Sequence, residues 1–278
     1  MLISVITLTH NKLPVTRRCL PTLLQTAWPS WELVVVDNGS TDGTPAWLNA
    51  FKAEAAKSGI AVRIVRNPDN IGCSTARNRG AAEARGERLV FIDNDVALRS
   101  VGWLNGLNRP LANPRVAITG PKLVYPFPPH RIQCAGVAVA PSGRVQFRGR
   151  GEARDDPRFA HEEAVQCLIS ACYMLRRDAF EAAGGFDEAF NPVEYEDFDL
   201  CYRLRADGRA AVYVPDVEMY HFESVTTAGT AALPNTYLII KHGLLFKRRW
   251  KHMFEREGGP PDEATRWKQV ETPPFEDI

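Results

Sequence analysis

The chain has little net charge and no long apolar run. Thirty-four Lys and Arg stand against 33 Asp and Glu, for a formal net charge of +1 over 278 residues. Bulk charge therefore gives no reason to expect a nucleic-acid partner. No stretch is apolar enough for long enough to span a bilayer. The N-terminus "MLISVITLTHNK" has neither a basic leader nor a small-residue cleavage site, so it does not read as a signal peptide. None of the six cysteines (Cys19, Cys73, Cys134, Cys167, Cys172, Cys201) forms a CxxC pair. Most lie in apolar stretches and are expected to be reduced, buried thiols of a cytosolic protein. The chain has no Walker loop, no GxGxxG, no internal repeat and no low-complexity tract. What remains is an ordinary globular composition, 45% hydrophobic and 24% charged, and a length that suits one large α/β domain or a domain with an appendage.

The order of patterns favours α/β. "LISVITL" and "WELVVVD" read as strands, the second nearly continuous in apolar residues, as in parallel sheets covered on both faces. "IAVRIVRN" and "ERLVFID" continue the series. Helical patterns lie between them: "PVTRRCLPTLLQTA", with a kink expected at Pro21; "TDGTPAWLNAFKAEAAKSG"; and "GCSTARNRGAAEARG". Alternation at this spacing predicts βαβ units and a mostly parallel sheet flanked by helices. Beyond about residue 115 the alternation breaks. "RVAITGPKLVYP", "GVAVA", "GRVQF", "AVQCLISACYMLRR" and "RAAVYVP" read as strands, and 126–162 as a mobile loop or excursion. "EDFDLCYRLRADG" reads as a helix, and the tail "TYLIIKHGLLFKRRWKHMF" as an amphipathic, basic one. That tail either packs on the core with a solvated face or lies on an anionic membrane.

Ligands of open parallel sheets bind beyond the carboxyl ends of the strands. Those ends carry Thr9, His10 and Asn11; Asp37 and Asn38; and Asp93, Asn94 and Asp95. Two aspartates at the end of an apolar strand suit Mg²⁺ or Mn²⁺, or else a solvated turn. Asp37 can accept from a pyrimidine N–H or a ribose hydroxyl. The alternative is a helix cap, for which Thr41 and Asp42 stand better placed. Gly72 precedes a helix that holds Arg77, a combination that suits a diphosphate; a solvated helix charge is the plainer reading. Glu194, Glu196, Asp197 and Asp199 cluster in one turn, either as partners of a helix dipole or as a source of a general base. On a helix, Glu194 and Asp197 would share a face, as would Glu196 and Asp199. His221 follows the last strand-like run.

"SVITLTHN", "ELVVVDNGSTDGT", "NIGCSTARNRG", "LVFIDNDV", "GGFDEAFNPVEYEDFDLCYRLRADG" and "VYVPDVEMYHFES" together resemble the motifs of family-2 nucleotide-sugar glycosyltransferases, in the same order and spacing. The nearest likeness is to the bacterial rhamnosyltransferase-like branch. The resemblance implies a GT-A fold over 1–228, with a nucleotide-binding half (1–115) and an acceptor-binding half (116–228), followed by a helical tail (229–278). It implies that Leu8, Thr9, Asn11, Asp37, Gly72, Arg77, Asp93 and Asn94 surround a UDP- or dTDP-sugar, with Asp37 on the base and Arg77 on the diphosphate. Asp93, Asp95 and His221 would hold Mn²⁺ or Mg²⁺. Asp197 would be the catalytic base, with Glu196 as neighbour or substitute. Gly184, Gly185 and Phe186 would border the pocket for a saccharide or other hydroxyl acceptor. Leu8 replaces the usual Pro, His10 an often-found Tyr, and "HFESVT" a small-residue stretch. The implied reaction is inverting, in polysaccharide or other glycoconjugate synthesis, and the implied place is the cytoplasm or the inner face of its membrane. The rivals are a nucleotidyltransferase, which would have a Gly-rich basic loop after the first strand, and a non-catalytic sugar-nucleotide binding module, which would not need the 194–199 acids.

Overall fold

A computed structural model describes residues 1–222 and 235–278. The chain opens with β1 (Ile3–Thr9), α1 (Leu13–Cys19), β2 (Trp31–Asn38), α2 (Thr44–Lys57), β3 (Ala61–Asn67), α3 (Cys73–Glu83) and β4 (Arg88–Asp93). As expected, the first helix changes character at the second proline. Pro14 sits in the first turn of α1, and Pro21 opens a 3₁₀ helix, Leu20–Gln25. The four strands pair in parallel in the order β3-β2-β1-β4. Leu33 to Val36 are fully buried, as the continuous apolar run requires of a strand covered on both faces. α3 packs on β1 and β2 through Gly80, where an added Cβ would lie 2.7 Å from Ile6 and 2.8 Å from Val36. The glycine lets the helix press onto the sheet, and so fixes where its other residues point.

After β4 come β5 (Val96–Leu98), α4 (Trp103–Asn108), β6 (Val116–Val124), β7 (Ile132–Cys134), β8 (Val137–Val139), β9 (Val145–Phe147), β10 (Glu163–Val165) and β11 (Cys172–Arg176). α5 (Arg177–Ala182), α6 (Glu196–Ala206), β12 (Ala210–His221) and α7 (Asn235–Phe254) complete the order. The sheet runs β10-β12-β6-β11-β4-β1-β2-β3. Its second half is mixed: β12 pairs with β6 in parallel, whereas β11 is antiparallel to both β4 and β6.

Two local expectations change. "AVQCLISACYMLRR" is two strands, β10 and β11, with Gln166–Ala171 between them. The segment 126–162 holds three short strands, including the antiparallel β8–β9 hairpin. The boundary placed at 228, and "ESVT" after His221–Phe222, lie outside the described residues.

All six cysteines are free and buried. No helix among the described residues is long and apolar enough to cross a membrane.

Candidate functional site

The strand ends converge as the topology requires. Asp93 ends β4, and β5 begins directly after the Asp93-Asn94-Asp95 turn. β5 pairs antiparallel with the end of β12, so His221 stands opposite Val96, one residue from Asp95. Asp93, Asp95 and His221 thereby each offer a ligand atom, all within 4.8 Å of one another. His221 Nε2 is 3.4 Å from Asp95 Oδ1. On the other side of the ring, His221 Nδ1 is 2.6 Å from Gln133 Oε1, while Gln133 Nε2 approaches the His221 carbonyl at 3.5 Å. With the Nδ1–H donated to the amide oxygen, the Nε2 lone pair faces a carboxylate. For the neutral ring, a cation between them makes that arrangement favourable. Two carboxylates and one oriented imidazole are a donor set that fits Mn²⁺ or Mg²⁺, with room left for phosphate oxygens. Burial pushes Asp93 above the usual carboxylate range, with Arg77 acting against the shift and Asp95 adding to it.

Arg77 joins this cluster to the acids of α6. The side chain is buried, which removes the solvated-charge reading. One guanidinium nitrogen donates to Asp93 Oδ1 at 2.6 Å and another to Glu196 Oε1 at 2.7 Å. The guanidinium carbon lies 5.6 Å from the centre of the Phe186 ring. Glu196 Oε1 also lies 3.6 Å from the Cys73 thiol, whereas Oε2 is buried with no hydrogen-bond partner among the described residues. Asp197 is buried next to it. Its carboxylate accepts from the Ser170 N–H at 3.0 Å and from its own helix at Phe198 N, 2.8 Å. Burial and the neighbouring Glu196 push Asp197 up to about 8, against the two N–H bonds and Arg77. Asp199 is fully buried and accepts from Arg203, Arg249 and the Trp250 indole, so it ties α7 to α6. Glu194 has φ +85° and precedes the helix, so it does not share a helical face with Asp197.

The residues expected on the nucleotide side form a framed rim. Asn11 Oδ1 accepts from Thr41 N and Asp42 N, and its own N–H donates to Ser40 Oγ, locking the β1 loop to the β2 loop. Asp37 is buried, and Oδ1 accepts from Ser40 N at 3.0 Å. It is therefore not free of turn bonding as expected, although Arg66 Nε is 4.0 Å from Oδ2. Asp42 takes the helix-start role, accepting from Thr44 N at 2.9 Å. Thr9 and Asn94 turn their side chains inward, where Asn94 donates to Thr16 and Thr9 hydroxyls. Leu8 is half-buried against the core.

Gly72 departs from expectation. The first N–H groups of α3 are already taken, Cys73 N by the Pro192 carbonyl at 2.7 Å and Ser74 N by Asn191 Oδ1 at 3.1 Å. Gly72 itself has φ +85°, and a Cβ there would lie 2.4 Å from Asn191. The glycine is needed for this close approach, which leaves the helix end without free N–H groups for a diphosphate at Cys73 and Ser74. Gly184 and Gly185 have φ +78° and +73° and make a tight turn. Asn78 brackets Phe186 by accepting from its N–H and donating to its carbonyl, both at 2.8 Å. The Phe186 ring is buried against Phe91 and Phe180, so it backs Arg77 rather than facing solvent. A cleft of about 430 Å³ is lined here by Asn78, Gly184, Phe186, Asp187, Glu188 and Arg203 among others.

Sequence reading missed Gln133, Ser170 and Asn191. Gln133 left a signal, since it is the one polar side chain inside "IQCAGVAVA". Ser170 and Asn191 left none, because each acts through a contact distant in sequence.

A family model described as "Glycosyl transferase family 2" matches residues 4–183. An O-antigen biosynthesis protein of Myxococcus xanthus is 33% identical over 219 residues, covering 75% of this chain and 16% of that protein. An N-acetylglucosaminyl-diphospho-decaprenol L-rhamnosyltransferase of Mycobacterium tuberculosis is 28% identical, covering 95% and 88%. The chain spans less than a third of the length of the first two curated relatives it matches. Among solved structures, GalNAc-T7 with UDP, GalNAc and Mn²⁺ superposes with a TM-score of 0.71 at 18% identity, covering 91% of this chain and 49% of that one. The shared architecture is the GT-A fold.

Proposed function

The chain belongs to glycosyl transferase family 2, in its bacterial rhamnosyltransferase-like branch, and from that premise we propose that it moves a sugar, with inversion, from a UDP- or dTDP-sugar to an acceptor hydroxyl of a growing glycoconjugate. The observation that carries this is the continuous chain of charge from Asp93, Asp95 and His221 through Arg77 to Glu196 and Asp197. Asp93, Asp95 and His221 would hold Mn²⁺ or Mg²⁺. A divalent cation bound there supplies positive charge to a diphosphate leaving group. Arg77 balances half-buried Asp93 and buried Glu196, and holds both in place. Asp197, fixed by two backbone N–H groups, accepts the proton that the acceptor hydroxyl loses. One base and one displacement give inversion. Asp37, at the end of β2, selects a pyrimidine through its N–H. The relatives named for O-antigen synthesis and for rhamnosyl transfer to a lipid-linked sugar support a glycoconjugate acceptor, and the UDP and Mn²⁺ of GalNAc-T7 support the donor and ion. Reduced, buried thiols suit a cytoplasmic setting.

The test is a screen of UDP-, dTDP- and GDP-sugars for metal-dependent donor hydrolysis, run beside calorimetry with the free nucleotides. UDP or dTDP should bind well above GDP, and Asp95→Ala should end turnover with the fold intact. Full activity in excess EDTA removes the metal role, and equal affinity for all nucleotides removes the role of Asp37.

A further inference from the structure

Among the described residues, seven large apolar side chains are well exposed, and four of them lie on the first half of α7: Tyr237, Ile239, Ile240 and Leu244. Tyr237, Ile240 and Leu244 are 54–59% exposed. Their spacing of three and four places them on one face, and the next two members of that stripe are Arg248 and Lys251. Lys241 flanks it and is exposed as well. The opposite face is committed. Leu238, His242, Phe246 and Phe254 are buried, and Phe246 packs on Tyr195, Phe198 and Tyr202. The sequence reading offered core packing or a membrane role as alternatives, but the helix has one face for each. We propose that the outward face of α7 docks on an anionic membrane surface.

Charge selects this occupant. From Asn235 to Phe254 the helix has five Lys and Arg and no Asp or Glu. Arg249 is consumed by Asp187 and Asp199, and Lys251 lies 3.7 Å from Glu255, whereas Lys241 and Arg248 are exposed beside the apolar band. An apolar band that sinks into the acyl boundary, beside cations that meet anionic headgroups, is the pattern of an interfacial helix. A second copy fits less well. Antiparallel self-pairing sets the apolar half against the basic half, and parallel pairing sets cations against cations. The inner face also explains why docking would matter. His242 Nδ1 is 2.8 Å from the Val193 carbonyl, and Trp250 donates to Asp199, so α7 is fastened to the segment that presents Glu196 and Asp197. Docking would hold that segment near the bilayer. The inference does not depend on the sugar-transfer reading.

The test is co-sedimentation of the full chain with phosphatidylcholine vesicles, with and without phosphatidylglycerol. Binding should require the anionic lipid and weaken with salt. Lys241→Gln with Arg248→Gln should weaken it by about thirtyfold, two surface cations' worth. Ile240→Glu with Leu244→Glu should abolish it while leaving the thermal melt unchanged, since both side chains are exposed. Absence of binding, or equal binding to neutral vesicles, overturns the proposal. So does a concentration-dependent dimer by light scattering that the Ile240→Glu, Leu244→Glu variant loses, because the face then belongs to a second copy.

Discussion

Replacing Asp197 by Asn should make stability less sensitive to pH, in a direction that can be worked out. Asp197 is buried, and its folded pKa is raised from 3.8 to about 8 by burial and by Glu196. In the unfolded chain the group ionises near its ordinary value, so it gains a proton on folding at neutral pH. A raised folded pKa means the stability it contributes is complete below pH 4 and is lost as pH rises toward 8. The slope is about 1.4 kcal/mol per pH unit across that window. Summed over the shift, the loss has an upper bound of about 6 kcal/mol, and several kcal/mol is the expected order. Asn cannot ionise, so the variant lacks this slope. Its amide also sets an –NH₂ against one of the two N–H donors, Ser170 or Phe198, which costs roughly 1–3 kcal/mol at every pH. The two effects separate cleanly: the offset is constant and the slope is not. Urea unfolding of both proteins at pH 5, 6, 7 and 8 reads the difference. Wild type should lose ground against the variant at each step, and the gap should level off above pH 8. A difference that stays constant, or that shifts in favour of wild type as pH rises, refutes the placement of Asp197 as a buried, proton-holding acid. The same ionisation predicts kcat/KM rising with pH to a plateau above about 8, and a loss of roughly 10²–10⁴ in kcat for Asp197→Asn.

Arg77→Met leaves two carboxylates facing each other without their cation, and should cost about 3–5 kcal/mol, or roughly 6–20 °C in Tm. Adding Glu196→Gln to it should restore part of that loss, and a Tm within a degree or two of wild type for Arg77→Met alone would show that the bridge carries no stability. Gln133→Leu should weaken Mn²⁺ binding by about 10–100-fold in calorimetry, since the imidazole loses the partner that aims it. Gln133→Glu keeps an acceptor and should retain most of the affinity, whereas unchanged affinity in Gln133→Leu would mean that His221 is oriented by other groups.

The first half of the fold was legible because its rules are local. Continuous apolar strands, prolines at helix starts and carboxylates at strand ends are all written within a few residues of where they act. The strand-end rule puts Asp37, Asp93 and Asp95 at one edge of the sheet, where the parallel register of β2 and β4 on β1 sets them. What failed was non-local. Gly72 looked like an anion cradle, but its filler, Asn191, comes 119 positions later. Arg77 looked like a solvated or phosphate-facing charge, and only folding reveals the two carboxylates that enclose it. Glu194 seemed helical because positive φ cannot be read from glutamate. "AVQCLISACYMLRR" read as one strand because nothing in its apolarity marks the break that frees the Ser170 N–H for Asp197.

The Arg77 bridge also constrains how such a chain can change over generations. Asp93 and Glu196 are 103 positions apart, yet one guanidinium balances both. Losing either carboxylate alone leaves a half-satisfied cation, and losing the arginine strands two acids. Single steps away from this triplet therefore pass through a less stable protein, whichever residue moves first. Among relatives that keep the architecture, positions 77, 93 and 196 should behave as one inherited unit, fixed together or replaced together.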